Sequence, residues 1–323
     1  MNGILRAALG GLFAVSLAAV APSGPAAAAQ ETVNLSFAWP QDLRGSVDYT
    51  AYRARESNGR SDEVAISGRY DFVTSAVADG LLIRFENVET DVKSDGAGVE
   101  AMVKSFMTKA ASTPPSYVVG RDGEFRRIED LDAFRDAVLG GLDDAFAELP
   151  EQTRAQISQV MAGILTREQM EAGIVSDWNM FVGAWLDAEL DQGDLYEVQY
   201  EQPVPMLGNA SIPMRTTFLF AGRTACHDSD AGQGCVILEM KSFVDSDRLS
   251  AALEAFLSRF PADGDKPRVE ALRQDMTVRL VTEPDTLLPH RLDSRRYTET
   301  RMTMNGETRV GSQVEEKRFV YRY

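Results

Sequence analysis

Histidine and cysteine are nearly missing: this 323-residue chain has two of each. A Ser-His-Asp triad would have to recruit His227 or His290, and no Gly-x-Ser-x-Gly elbow presents a serine. The His-Glu-x-x-His, Ser-x-x-Lys, Gly-Lys phosphate-loop and Gly-x-Gly-x-x-Gly patterns are also absent. The sequence therefore predicts no enzyme, no catalytic residue and no cofactor. Basic residues are scarce too, 33 against 49 acidic, and a net charge of −16 repels phosphate backbones and anionic membranes. Nucleic acid is excluded as a partner on that ground, and the surplus carboxylates read as solubility. The mature chain has no Ser/Gly linker, low-complexity tract or fixed-period repeat to divide it.

What is present begins with an export signal. Arg6, the apolar run from Ala7 to Val20 and the stretch Ala26 to Ala29 read as a signal peptide cleaved after Ala29, with Ala27 and Ala29 as the small −3 and −1 residues. The run is broken by Gly10, Gly11 and Ser16 and falls short of the ~20 residues that span a bilayer, so no transmembrane anchor is expected. No cysteine near the cleavage point offers a lipid attachment site. The Ala-rich signal is similar to those of Gram-negative bacteria and points to the periplasm. In that compartment Cys226 and Cys235 predict a disulfide. Closing so short a loop stabilises by about 2–3 kcal/mol, enough to clamp a hairpin end.

The hydrophobic period predicts an α+β chain. Residues alternate through Val33, Leu35, Phe37 and Trp39, and again over Val47–Ala51, Val64–Phe72 and Leu81–Phe85. Short polar breaks at Asn58-Gly59 and Asp79-Gly80 make these an antiparallel meander. A helix with Val99, Met102, Val103, Phe106 and Ala110 on one face follows, then a hairpin turning at Asp122-Gly123. Helical stripes run from Leu131 to Leu149 and from Ile157 to Leu165; Thr166 with Gln169 forms a capping box, and Ser176 starts a helix carrying Trp178, Phe181, Val182, Trp185 and Leu186. Strands return at Leu195–Val204, Met214–Arg223 and Val236–Val244, then a helix capped by Ser246 or Asp247, then strands from Ala271 to Tyr323 around the Asn305-Gly306 turn. Strands at both ends with helices between imply one sheet in residues 30–323, completed by both termini and carrying a helical insertion at about 130–190.

Polar clusters carry little chemistry. Asp228, Asp230 and Glu239 have the spacing of a calcium loop, but Gln233 stands where the turn needs Gly and Glu239 alternates within a strand, so no metal is assigned. Zinc through His227 and two carboxylates is weaker still than calcium, since oxidised cysteines cannot ligate it. His290 reads as structural. Trp178 and Trp185, seven residues apart, read as a core stripe on one helical face. Arg291, Arg295, Arg296 and Arg301 make a basic patch, read as a solvated strand face with anion or lipid-headgroup binding as the sharper alternative.

Two turns, Glu283-Pro284-Asp285-Thr286-Leu287-Leu288-Pro289 and Tyr117-Val118-Val119-Gly120-Arg121-Asp122-Gly123, resemble those of exported proteins of the lipoprotein-carrier superfamily. The resemblance implies an unclosed barrel: a large curved antiparallel sheet with helices on its concave face and an apolar cavity that takes acyl chains. It carries across no site residue, and the helical middle section is longer than the family's. Inward positions by alternation and helical stripe, hence candidate pocket residues, are Phe37, Trp39, Leu81, Ile83, Phe85, Phe218, Phe220, Met240, Trp178 and Trp185. The expected function is a non-enzymatic periplasmic carrier for a lipid or an acylated protein. The alternative is a cell-envelope interaction protein with a filled core and no small ligand.

Overall fold

The structure, a computed structural model, describes residues 31–323 apart from 58, 96–103, 106, 110–112, 148, 205–209, 228–231, 233, 258–267 and 305–306. The signal segment, the apolar face of the helix expected at Val99–Ala110, the Asp228/Asp230 loop and the Asn305-Gly306 turn lie outside the described residues. Thirteen strands are formed by those that are described. They are β1 (Thr32–Asn34), β2 (Arg44–Ser57), β3 (Arg60–Val77), β4 (Gly80–Ser94), β5 (Ser116–Val119), β6 (Phe125–Glu129), β7 (Glu189–Asp191), β8 (Leu195–Val204), β9 (Ala210–Thr224), β10 (Cys235–Val244), β11 (Arg268–Thr282), β12 (Pro289–Met304) and β13 (Glu307–Arg322). Eleven of them make one antiparallel sheet in the order β6-β5-β4-β3-β2-β13-β12-β11-β10-β9-β8. Its centre is the pairing of β2 with β13, in register from Ser46 opposite Arg322 to Ser57 opposite Gly311. Strands from both ends of the chain therefore lie side by side in the middle of the sheet, and the fold is α+β with a large curved, unclosed sheet.

Turn chemistry fixes the meander. Gly80 has φ +154°, and a Cβ there would stand 1.9 Å from the Val119 carbonyl oxygen, so the β3–β4 turn admits no side chain where β5 passes over it. Gly123 has φ +77° as expected, but the β5–β6 connection is longer than two residues: Gly120 N–H bonds the Glu124 carbonyl across it at 2.7 Å.

Helices α1 (Leu131–Ala145), α2 (Glu151–Ile164) and α3 (Arg167–Trp178) occupy the middle of the chain, and α4 (Ser246–Leu257) follows β10. Thr166 caps α3, its hydroxyl accepting from Gln169 N–H at 3.3 Å. Thr166→Ala is expected to lower unfolding free energy by about 1 kcal/mol in chemical denaturation, the usual worth of such a cap. No helix starts at Ser176. Instead α3 runs on into a π turn, Asn179–Gly183, in which Ala184 N–H reaches back to the Asn179 carbonyl at 3.1 Å. Gly183 permits it, since a Cβ there would lie 2.1 Å from Asn179 Oδ1. The extra residue breaks the phase of the helix, so Trp178 and Trp185 meet different neighbours. The cap of α4 is Asp245, one residue before the expected pair, with Oδ1 accepting from Arg248 N–H at 2.9 Å.

The segment 33–39 alternates as expected but does not join the large sheet. β1 pairs β7, and beyond it Ser36 and Ala38 donate to the Pro284 and Thr286 carbonyls, laying the segment across the β11–β12 turn. Val33, Leu35 and Trp39 are buried there, which keeps the alternation of a strand without a strand's partners. Among the described residues no helix is long and apolar enough to cross a membrane.

Candidate functional site

The ten inward candidates all belong to one apolar cluster between the sheet and the helical layer. Trp39, Leu81, Ile83, Trp178, Trp185, Phe218, Phe220 and Met240 are buried in it, and Phe37 and Phe85 pack against it. Trp178 stands at the centre of one half, edge-on to Trp39 (5.5 Å between centroids), Tyr117 (5.7 Å) and Phe181 (5.3 Å). Trp185 serves the other half, edge-on to Phe218 at 5.3 Å. Every indole N–H reaches a carbonyl: Trp39 to Leu287, Trp178 to Gly123 and Trp185 to Met180, at 3.0–3.2 Å. The Leu287 carbonyl belongs to the Glu283–Pro289 turn, where Leu287 itself holds φ +54°, a costly conformation for a leucine. The turn is pinned by Thr286 Oγ1 donating to Glu283 Oε2 (2.8 Å) and by the Thr282 hydroxyl donating to the Leu288 carbonyl (2.9 Å).

The opposite face of the sheet holds a trough of about 830 Å³ lined by residues of β2, β3, β4, β10, β11, β12 and β13. Its lining residues come from seven adjacent strands, which laid side by side span about 29 Å. Strand register selects its side chains. Glu239, Arg279, Asp293 and Arg318 form one row across β10-β11-β12-β13, while Lys241, Thr277, Arg295 and Glu316 form the next. The lining is basic within an acidic protein: Lys93, Lys241, Arg279, Arg291, Arg295 and Arg318 against Glu239, Asp293 and Glu316. Lys317 also borders it, but its ammonium pairs Asp177 on the helical side. Asp293 holds Arg291 (2.7 Å) and Arg318 (2.6 Å), and Glu316 holds Arg295 (3.3 Å). Among the described residues Lys93, Lys241 and Arg279 have no ion-pair partner.

Past Glu239 the charge row continues onto Leu219 and Leu195, and past Arg291 the neighbouring row continues onto Val281 and Ile237. Leu195 is 70% exposed. A charged trough thus abuts a small apolar shelf on the same face. Of the basic patch, Arg291 and Arg295 enter the trough. Arg296 points to the other side, paired with Glu315, and Arg301 lies beyond the lining residues.

A third feature escapes any reading of the histidines one at a time. Cys226 and Cys235 form the expected disulfide, with Cα atoms 5.0 Å apart. Beside it His290 Nδ1 lies 3.1 Å from His227 Nε2, and His290 Nε2 lies 3.1 Å from Glu283 Oε1. The signal was in plain view, since His227 adjoins Cys226, but the link to His290 exists only through the β10-β11-β12 pairing.

No protein-family model matches the chain, and no curated protein matches it in sequence. The resemblance to the lipoprotein-carrier superfamily therefore rests on its two turns and on the large antiparallel sheet. Among solved structures, one of lipovitellin, described for its lipid–protein interactions, is similar at 8% identity and a TM-score of 0.43 over 88% of this chain. The chain spans about a quarter of that protein's length. Pseudomonas aeruginosa OccK5 (OpdH) is similar at 7% identity and a TM-score of 0.19, over 87% of this chain and 98% of its own. Neither score supports an inference about what this chain binds.

Proposed function

We propose that the chain is an exported, non-enzymatic binding or carrier protein for an anionic amphiphile, a lipid or the acylated part of a protein, held on the outer face of the sheet. The carrying observation is the trough. Six cations face one hollow in a molecule whose net charge is −16, and three of them have no carboxylate partner among the described residues. A bound anionic head would complete their pairing, and charge-assisted hydrogen bonds to Arg and Lys are the strong ones. The Leu195–Leu219 and Ile237–Val281 shelf gives an attached hydrocarbon chain somewhere to lie. The inward set, packed against itself, serves as the scaffold that holds the strand register. Export to the periplasm accords with the signal-like first 29 residues and with the disulfide, which persists in oxidising compartments.

Co-sedimentation with vesicles of phosphatidylglycerol and of phosphatidylcholine tests this reading. Binding should favour the anionic vesicles at least tenfold, weaken with added salt, and fall at least tenfold in an Arg279→Glu/Arg295→Glu double variant. Equal binding to both vesicles, or unchanged binding by the double variant, overturns it. The self-packed interior favours a second reading, an envelope interaction protein without a small ligand. On that reading the purified protein shows a bare mass by native mass spectrometry, while cross-linking in the envelope still retains a protein partner.

A further inference from the structure

The four rarest chemically versatile side chains of this sequence, two cysteines and two histidines, meet at one corner of the molecule. Cys226 and His227 lie just after β9, Cys235 opens β10 and His290 sits at the second position of β12. Ligand atoms of Cys226, Cys235 and His290 all fall within 4.8 Å of one another, and His227 Nε2 is 3.1 Å from His290 Nδ1. The side chain of His290 is 6% exposed and Cys235 is fully buried, whereas Cys226 is partly exposed. The corner is therefore largely enclosed, and Cys226 is its more exposed cysteine.

The surrounding polar atoms are set as they are around a bound metal. Glu283 takes the Nε2 side of His290 at 3.1 Å and is itself held by the Thr286 hydroxyl at 2.8 Å. His290 thus has one ring nitrogen against the carboxylate and the other, Nδ1, facing His227. A histidine oriented by a carboxylate behind it is the usual outer-shell arrangement of metal sites. Glu283 belongs to the turn pinned by the N-terminal segment 36–39, so its position is fixed by the fold rather than by the loop that carries Cys226.

We propose that this corner is a redox-gated site for zinc: reduced Cys226 and Cys235, with His290 and His227, bind one Zn²⁺, and the disulfide is the closed state that cannot. The opening step is thiol–disulfide exchange with a dithiol donor. The donor's thiolate attacks the Cys226 sulfur, the Cys226–Cys235 bond breaks, and the donor's second thiol resolves the mixed disulfide. The donor leaves oxidised, and the protein gains two electrons and two protons as two thiols. Zinc binding then expels both protons, giving two thiolates and two neutral imidazoles. Bonds of ~2.3 Å to sulfur and ~2.0–2.1 Å to nitrogen place tetrahedral ligand atoms roughly 3.3–3.8 Å apart, so the two sulfurs must part and the His227 ring, which lies outside the group formed by Cys226, Cys235 and His290, must swing in to complete the set. The set is Cys₂His₂, a closed structural type. The trough shares none of these residues.

Cobalt and zinc titration of the purified protein, oxidised in one arm and reduced with a phosphine under argon in the other, tests the proposal. Reduced protein should bind one Co²⁺ with the intense visible bands of tetrahedral coordination and a sulfur-to-metal charge-transfer band. Zn²⁺ should displace the cobalt, and two protons should be released per metal. The oxidised protein should bind at least 100-fold more weakly. Cys226→Ser/Cys235→Ser should lose the charge-transfer band, and His290→Ala should weaken binding at least tenfold although it lies 55 residues beyond Cys235 in sequence. Far-UV circular dichroism of the reduced forms, with and without metal, keeps folding in view. A reduced protein that binds no cobalt, a pale octahedral spectrum, or an affinity unchanged in His290→Ala overturns the proposal. The last result would mean that the two thiols bind metal as a loose chain.

Discussion

Replacing Trp178 with Ala is expected to lower unfolding free energy by about 3–5 kcal/mol, the range for emptying a large aromatic site in a core. Three things depend on this indole. It is 1% exposed and lies edge-on to Trp39, Tyr117 and Phe181, pairs that each add about 0.5–1.5 kcal/mol beyond simple burial. Its N–H donates to the Gly123 carbonyl at 3.0 Å and so ties the end of α3 to the β5–β6 turn. That turn is already pressed onto the core, because a Cβ on Gly123 would lie 2.5 Å from Leu186 and 2.7 Å from Phe37. Trp178→Phe separates the contributions. Most of the packing survives and the carbonyl loses its donor, so the expected cost falls to about 1–3 kcal/mol. Urea denaturation with both variants is the measurement. A loss below about 1 kcal/mol for Trp178→Ala would falsify the view that this aromatic cluster holds the helical layer on the sheet.

The large sheet was legible because its signals are local and agree. Alternation over Val47–Ala51, Val64–Phe72 and Leu81–Phe85, with breaks at Asn58-Gly59 and Asp79-Gly80, leaves few arrangements other than an antiparallel meander. The central pair, β2 with β13, followed from strands at both ends and no linker between them. The misread elements are those decided at long range or by degenerate local signals. Val33 to Trp39 alternates as any strand does, and what withdraws it from the sheet is a turn some 250 residues away that takes its N–H groups. Asp245, Ser246 and Asp247 are three good caps in a row, so composition could not choose among them. The π turn needs Asn179 and Gly183 to meet, which an α-helical period conceals.

The candidate site was legible only in fragments. Arg291 and Arg295 stood out as a basic patch, but Arg296 sat among them, and a register slip of one residue exchanges which of them enter the trough. Lys93, Lys241 and Arg279 lie on separate strands with nothing to link them until the sheet is assembled. The inward aromatics were identifiable from alternation and helical spacing. The sequence could not show whether they line a space or fill it, because that depends on how closely α3 and the segment 33–39 approach the sheet.

Raising the pH above about 10 is expected to unfold the protein in one steep step. Tyr117 and Tyr321 are buried, and desolvation first, then the neighbouring Tyr70, pushes both phenols well above the ordinary tyrosine value. Tyr70 is raised too, by desolvation and then by Asp177. The sign follows from where the proton binds more tightly. Each phenol keeps its proton better in the folded state, so its stabilisation is fully present below the unfolded value near 10 and is lost as pH climbs towards the folded one. Each unit above 10 costs about 1.4 kcal/mol per phenol, or roughly 3 kcal/mol for Tyr117 and Tyr321 together. By about pH 12 the loss approaches the whole stability of an ordinary domain, about 5–15 kcal/mol. Tyrosinate absorbance followed alongside far-UV circular dichroism reads this out: the buried phenols should ionise together with the collapse of the β signal, after the exposed tyrosines have already titrated. Tyr117→Phe should move the midpoint to higher pH, provided its lost hydroxyl leaves neutral-pH stability within about 1 kcal/mol. If all nine tyrosines titrate smoothly near pH 10 while the sheet stays intact, the inner face is wet and the aromatic cluster does not exclude water as argued.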